Sequence, residues 1–207
     1  MKIFLIVLAV LVALVAAGLL FVSGVYNGLV NRSQAVDAQW AQVENVYQRR
    51  ADLIPNLVAT VSGAANFEKS TLTEVTEARA SVGKVQLNSG AAPSAGQLAE
   101  FEKAQGQLGS ALSRLLVVVE RYPDLKATAN FQTLQSQLEG SENRIAVERG
   151  RFNDLARDYN SAIKRVPAVF FATVLGFKEK AYFAATAGAD KAPTVQFDFG
   201  KKEPAKP

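Results

Sequence analysis

The apolar positions of this chain fall into one unbroken block followed by several evenly spaced seams. From Ile3 to Val22 there is no charged or strongly polar side chain, a run of 20 residues. A helix rising about 1.5 Å per residue needs about that length to cross a hydrocarbon core of about 30 Å. Lys2 precedes the run, and Tyr26, Asn27 and Arg32 follow it, with the tyrosine where an interfacial anchor belongs. Ala16, Ala17 and Gly18 offer a small-residue site of the kind a signal peptidase cuts. Leu19 to Val22 carry the apolar run past it, longer than a secretory h-region of about 7–15 residues. The reading is an uncleaved anchor, residues 1–25.

Beyond it the pattern turns periodic. Leu29, Val36, Trp40, Val43, Tyr47, Arg50, Ile54, Leu57 and Val61 alternate at intervals of four and three after the first gap, a heptad seam on one helix face. Gly28 alone interrupts the approach, so span and first helix read as continuous. Pro55 lies inside, removes one backbone hydrogen bond, and predicts a kink. A second helix carries Phe67 (or Glu68), Leu72, Val75, Arg79 and Val82. Residues 83–97 are rich in Gly, Ser and Ala and read as a flexible connection. The third helix runs from about Leu98 to Tyr122 through Phe101, Gln105, Leu108, Leu112, Leu115 and Val119, and Pro123 ends it. The fourth, from about Phe131 to Ile163, uses Leu134, Leu138, Ser141, Ile145, Glu148, Phe152, Leu155, Tyr159 and Ala162.

Strand alternation is confined to TVQFDF at 194–199. The fold expected is therefore all-α: a transmembrane helix followed by an elongated antiparallel bundle of about four long helices, residues 26–166. Residues 167–183 form an apolar, aromatic, membrane-proximal segment. Its run Ala168–Phe177 is too short to span and suits either a core cap or an interfacial contact. Residues 184–207, mostly Ala, Gly, Lys and Pro, read as a poorly ordered tail.

Arg50, Arg79 and Glu148 occupy seam positions that bundles usually give to aliphatic residues. They are either turned to solvent with their stems buried, or form a buried polar layer that fixes register, with Glu148 accepting from an arginine. Helical rise puts Arg50 about 36 Å and Glu148 about 30 Å beyond Tyr26, with Arg79 at about 40–45 Å. The same ruler returns Ile163 to within about 10 Å of the membrane. Phe170, Phe171 and Phe177 would then meet the bilayer or a partner.

Composition removes whole classes of chemistry. With neither histidine nor cysteine, no Ser-His-Asp or Cys-His nucleophile, His-ligated zinc site or Glu-x-x-His di-iron site can be built. No cofactor motif is present. Lys2 is the one charge in residues 1–25, leaving 22 basic against 19 acidic residues beyond it, a net of +3 in mixed order. That is no nucleic-acid footprint. Lys2 before the span, against only Arg32 in the 20 residues after Val25, leans weakly toward a domain outside the cytoplasm.

Several strings resemble the bacterial LemA family: YNGLV at 26–30, AQWAQVENVYQRRADLIPNLV at 38–58, TEARA at 76–80, SRLLVVVERYPDLKA at 113–127, GSENRIAVERGRFNDLARDYN at 140–160 and GFKEKAYF at 176–183. The resemblance implies a single-pass protein of the bacterial inner membrane with a helical bundle and no established enzymatic activity. The family is often described with its domain in the cytoplasm, against the charge lean. It supplies no catalytic residues. The expected role is a scaffold or adaptor whose partners are the lipid bilayer and either another copy, giving a homo-oligomer of coiled-coil-like seams, or another envelope protein. The alternatives are a ligand sensor with Arg50, Arg79 and Glu148 in an interhelical pocket, and a membrane-remodelling bundle.

Overall fold

A computed structural model describes residues 1–64, 67–87 and 90–184. The tail beyond Ala184, including the strand-like TVQFDF, lies outside the described residues. The elements in order are α1 (Lys2–Ser62), α2 (Lys69–Val82), α3 (Ala95–Val119), α4 (Pro123–Lys126), α5 (Ala129–Lys164) and α6 (Val169–Ala172), with no strand among the described residues. The fold is all-α, as the periodicity requires.

Span and first bundle helix are one helix of 61 residues. Its N-terminal third is bare, as a lipid-facing segment should be, and among the described residues it holds the one stretch long and apolar enough to cross a membrane. The buried face of its bundle part is the heptad seam, residue for residue from Leu29 to Val61. α1 rises, α2 descends, α3 rises again and α5 descends. Ion pairs Glu74–Arg114 and Glu68–Arg121 fix the α2–α3 hairpin in antiparallel register. α5 packs antiparallel along α1, with Gln39 meeting Glu148 low down and Arg50 meeting Glu142 higher up.

Local chemistry sets the helix ends. At the start of α3 the Ser94 hydroxyl accepts from the Gln97 N–H, and the Gln97 side chain accepts from the Ser94 N–H, a reciprocal capping box. This starts α3 at Ala95, three residues before its first seam leucine. Pro123 opens α4 at a position where its missing N–H costs nothing, and Thr128 caps α5. The connection after α2, expected to be flexible, is held at several points. Val85, Leu87 and Ala92 pack on the core, Pro93 is buried, and the Ala92 N–H donates to Asp37 Oδ1 at 2.8 Å. Small residues allowed that close approach, and composition alone read them as loose.

The core divides into two apolar clusters. The lower gathers Leu29 to Tyr47 of α1 with Leu98, Phe101 and the Ile145–Ile163 face of α5. The upper gathers Ile54 to Val61 with Val75, Leu108 to Val119, Phe131 and Leu138. Arg50, Gln105 and Ser141 are buried at the waist between them.

Candidate functional site

The waist is where a bundle core turns polar. Arg50 is 4% exposed. Its Nη1 donates to Glu142 Oε1 at 2.6 Å and its Nη2 to Gln105 Oε1, while the guanidinium lies 5.2 Å from the Tyr47 ring centroid. Its Nε is buried without a partner among the described residues. Burial raises the Tyr47 phenol above its ordinary value, against the lowering fields of Arg149 and Arg50. A cleft of about 490 Å3 opens beside this group, with Arg149 and Glu102 joined on its wall by a 2.8 Å ion pair. Gly106 and Gly109 of α3 help keep it open, since a methyl group added at either would meet nothing within 4 Å.

The structure buries a polar group at the waist, and its membership differs from the layer expected. Of Arg50, Arg79 and Glu148, only Arg50 belongs. Its carboxylate partner is Glu142, six positions before Glu148. Glu148 instead accepts from Gln39 Nε2 at 2.6 Å and from Arg151 at 2.8 Å, at the level of the lower core. The height estimate misplaced it by running α5 down from the top of α1. The α4 turn and its flanks carry the chain back across the upper core first, so Phe131 packs against the upper cluster below that top.

Arg79 is exposed and acts elsewhere. Its Nε donates to the backbone oxygen of Ala51 at 3.0 Å. Ala51 is the residue whose carbonyl an N–H at position 55 would engage, and position 55 is proline. α1 runs through Pro55 without a break in its helical assignment, and the carbonyl that the proline frees is taken by α2. The proline read as a kink site is also where α2 is tied to α1. Arg79→Ala should therefore cost about 0.5–1.5 kcal/mol in the natural background and close to nothing in a Pro55→Ala background, where the amide of residue 55 takes the carbonyl. Denaturant melts of the four chains of this cycle check it. Equal costs in both backgrounds would mean that Arg79 stabilises by some other route.

The third feature is a strap that the seams did not announce. After α6, Gly176 adopts a left-handed conformation (φ 81°) and the Phe177 N–H returns to the Ala172 carbonyl at 2.9 Å, a helix-ending motif that wants glycine there. The reversal sets Phe177 against Tyr26, ring centroids 5.6 Å apart. Residues 178–184 then run extended along α5. Asn160 grips residue 180 twice, donating to its carbonyl and accepting from its N–H, both at 2.8 Å. Asn153 does the same at residue 183, at 3.1 and 2.9 Å. The spacing fits: seven helical residues rise about 10.5 Å, and three extended residues span about 10 Å. Phe183 is buried among Trp40 and Phe152 with the Arg149 guanidinium 4.5 Å above its ring. Lys180 pairs with Asp37 at 2.8 Å, where both are mostly buried. Burial, and then the charge of Asp37, raises the Tyr159 phenol beside them.

The membrane-proximal phenylalanines separate into roles. Phe170 is 69% exposed, with Val166 and Val174 beside it in sequence still barer, whereas Phe171 and Phe177 are half-buried. Ala168 and Ala172 are the buried face of this turn. The small residues of the segment and Phe177 pack on the lower core, while Phe170 and Val174 stay exposed.

Comparison with known proteins places the chain in a family. The LemA family pattern matches residues 39–197, which takes in the waist, the Pro55–Arg79 tie and the asparagines of the strap. Magnetosome protein MamQ of Magnetospirillum gryphiswaldense is 28% identical over 180 residues, covering 76% of this chain and 64% of that protein. Magnetosome protein MamQ 2 of Paramagnetospirillum magneticum is 29% identical over 177 residues with the same coverage. Protein LemA of Metamycoplasma hominis is 21% identical over 137 residues, 66% of this chain and 58% of that one. The chain spans less than two thirds of the length of these relatives. With a family match over most of its length, on a helical bundle that follows a membrane-length apolar helix, the chain belongs to the LemA family.

Proposed function

We propose that this protein is a membrane-anchored helical scaffold of the bacterial envelope, without catalytic chemistry of its own, that binds a second copy or another envelope protein. The observation that carries the reading is the joint between bundle and span. Phe177 packs on Tyr26 just past the span, so the exposed Val166, Phe170 and Val174 lie at the level where the helix leaves the bilayer. Large apolar side chains left bare at this level suit a contact surface. The bundle thereby rests on the membrane through two elements, the span and the α6 turn, and holds its far end roughly 60 Å away, the length of the 40 helical residues after Val22. Two apolar core clusters, in a chain without histidine or cysteine, support a structural role over an enzymatic one. Relatives named as proteins of the magnetosome, a bacterial structure, suit a place in the envelope.

The absence of cysteine makes a direct test simple. Single-cysteine variants at Phe170, Val174 and, as a control far from the membrane, Gln135 are spin-labelled in the full chain in proteoliposomes. Labels at 170 and 174 should show high oxygen and low polar-reagent accessibility, opposite to 135. Oxidative cross-linking of the same variants should give dimers if the patch meets a second copy instead. Polar-reagent accessibility at 170 and 174 equal to that at 135, with no cross-linking, would remove the basis of the proposal.

A ligand-sensing reading has one observation in its favour, the cleft beside Arg50, where an orphaned guanidinium nitrogen is buried.

A further inference from the structure

At the foot of the bundle, α1 and the end of α5 enclose a second cleft, of about 480 Å3. Gly24 and Gly28, one turn apart on the same face of α1, form its floor. A methyl group at Gly24 would meet nothing within 4 Å, and one at Gly28 would touch Arg32 Nη1 at 3.4 Å. The two glycines are thus the reason a cleft exists where an ordinary helix pair would interdigitate.

Its polar lining is Arg32, Asp158, Ser161 and Arg165. Arg32 Nη1 folds back to donate to the Gly28 carbonyl at 3.1 Å, holding the guanidinium over the cleft with its other N–H groups uncommitted among the described residues. The side chains of Asp158 and Arg165 make no hydrogen bond or ion pair among the described residues. Two guanidinium groups and one carboxylate therefore converge on an open space.

The height of the cleft identifies what fills that space. Residues 24 to 28 stand about 3–9 Å past Val22 along the helix. The polar headgroup layer on each side of a bilayer is about 5–7 Å thick. The glycine floor of the cleft therefore runs through the headgroup layer and just past it, Arg32 reaches back toward it from about 15 Å beyond Val22, and the exposed Val166 belongs to its wall. The charges identify the headgroup. Guanidinium groups suit a phosphodiester. The carboxyl-terminal pole of α5 and Asp158 disfavour an anion alone but suit an ammonium group next to it.

We propose that this cleft binds one phospholipid whose headgroup joins a phosphodiester to a primary ammonium, with Arg32 and Arg165 on the phosphate and Asp158 on the amine. The proposal rests on the reading of residues 3–22 as a bilayer span.

The test uses the full chain in nanodiscs of phosphatidylcholine containing a minor fraction of phosphatidylethanolamine or phosphatidylglycerol, released for native mass spectrometry. Phosphatidylethanolamine should be retained roughly tenfold over phosphatidylcholine, the effect of one charge-assisted hydrogen bond that a quaternary amine cannot make. Arg165→Gln should lower retention of every lipid. Asp158→Asn should abolish the preference for the primary amine and raise retention of phosphatidylglycerol. Both positions are exposed, so circular-dichroism melts should be unchanged; Gly24→Leu, which fills the cleft, should block retention independently of charge. Displacement of the bound lipid by millimolar inorganic phosphate would show a phosphate site rather than a lipid site and overturn the proposal. So would equal retention of all three lipids in the natural chain and in the variants. Failure of the chain to incorporate into nanodiscs would instead overturn the span on which it rests.

Discussion

Glu142→Ala should destabilise the bundle by about 2–4 kcal/mol, more than Arg50→Met does, although both remove the same ion pair. The asymmetry follows from burial. Arg50 is 4% exposed, whereas the Glu142 side chain is 46% exposed. Removing the carboxylate strands a desolvated guanidinium on Gln105 alone. Breaking a fully buried pair costs about 3–5 kcal/mol, and access of water along the cleft lowers that figure here. Arg50→Met keeps the stem packing, frees Glu142 to hydrate, and leaves only the Gln105 oxygen unsatisfied, about 1–2 kcal/mol. The double substitution should cost no more than Arg50→Met. Glu148→Ala should cost less than Glu142→Ala, since it strands no buried cation. Urea titrations of the full chain in detergent, followed by circular dichroism, rank the four. If Arg50→Met is the most damaging, the pair contributes net attraction and the desolvation argument fails.

The other large effect belongs to the strap. Phe183→Ala should cost about 3–5 kcal/mol, because the ring is 4% exposed and fills the space between Trp40 and Phe152. Asn160→Ala removes the partners of two backbone groups at once, about 1–3 kcal/mol for each group left unpaired where water is excluded. Both should free the segment locally before the bundle unfolds. Trypsin cutting after Lys178 or Lys180 should accelerate by at least tenfold in Asn160→Ala under conditions where far-ultraviolet circular dichroism is unchanged. An unaltered cutting rate would mean that the asparagine clamps are dispensable and the aromatic ring alone holds the strap. Combining Asn153→Ala with Phe183→Ala should cost less than the sum of the two, since both anchor residue 183.

How far the sequence could be read depended on the kind of interaction. The heptad seam of α1 was legible to the residue, because burial on a helix face is periodic and Leu29 to Val61 obey that period. Arg50 stood out as a charge on it. Its partner did not, because pairing between helices depends on register, and register depends on how many residues the α4 turn consumes above the core. Arg79 looked like a seam residue by spacing, yet its role is set by a carbonyl that Pro55 exposes, and backbone acceptors leave no mark in a hydrophobic pattern. Asn153 and Asn160 were equally silent. An asparagine on a helix reads as surface until an extended segment lies beside it, although their interval of seven was available as a signal. The aromatic run at 168–177 was seen as apolar but could not be divided into Ala168 and Ala172 facing in and Phe170 facing out without the turn at Gly176.

One continuous helix from bilayer to bundle also makes the span a lever. A transmembrane segment tilts when the hydrophobic thickness around it changes. The Pro55–Arg79 tie and the antiparallel grip of α5 leave little slack between the span and the far end. A change in tilt of about 10° at the membrane would carry the far end sideways by about 10 Å, given an arm of roughly 60 Å. Spin-label distances from the distal tip to the bilayer should then change with lipid chain length.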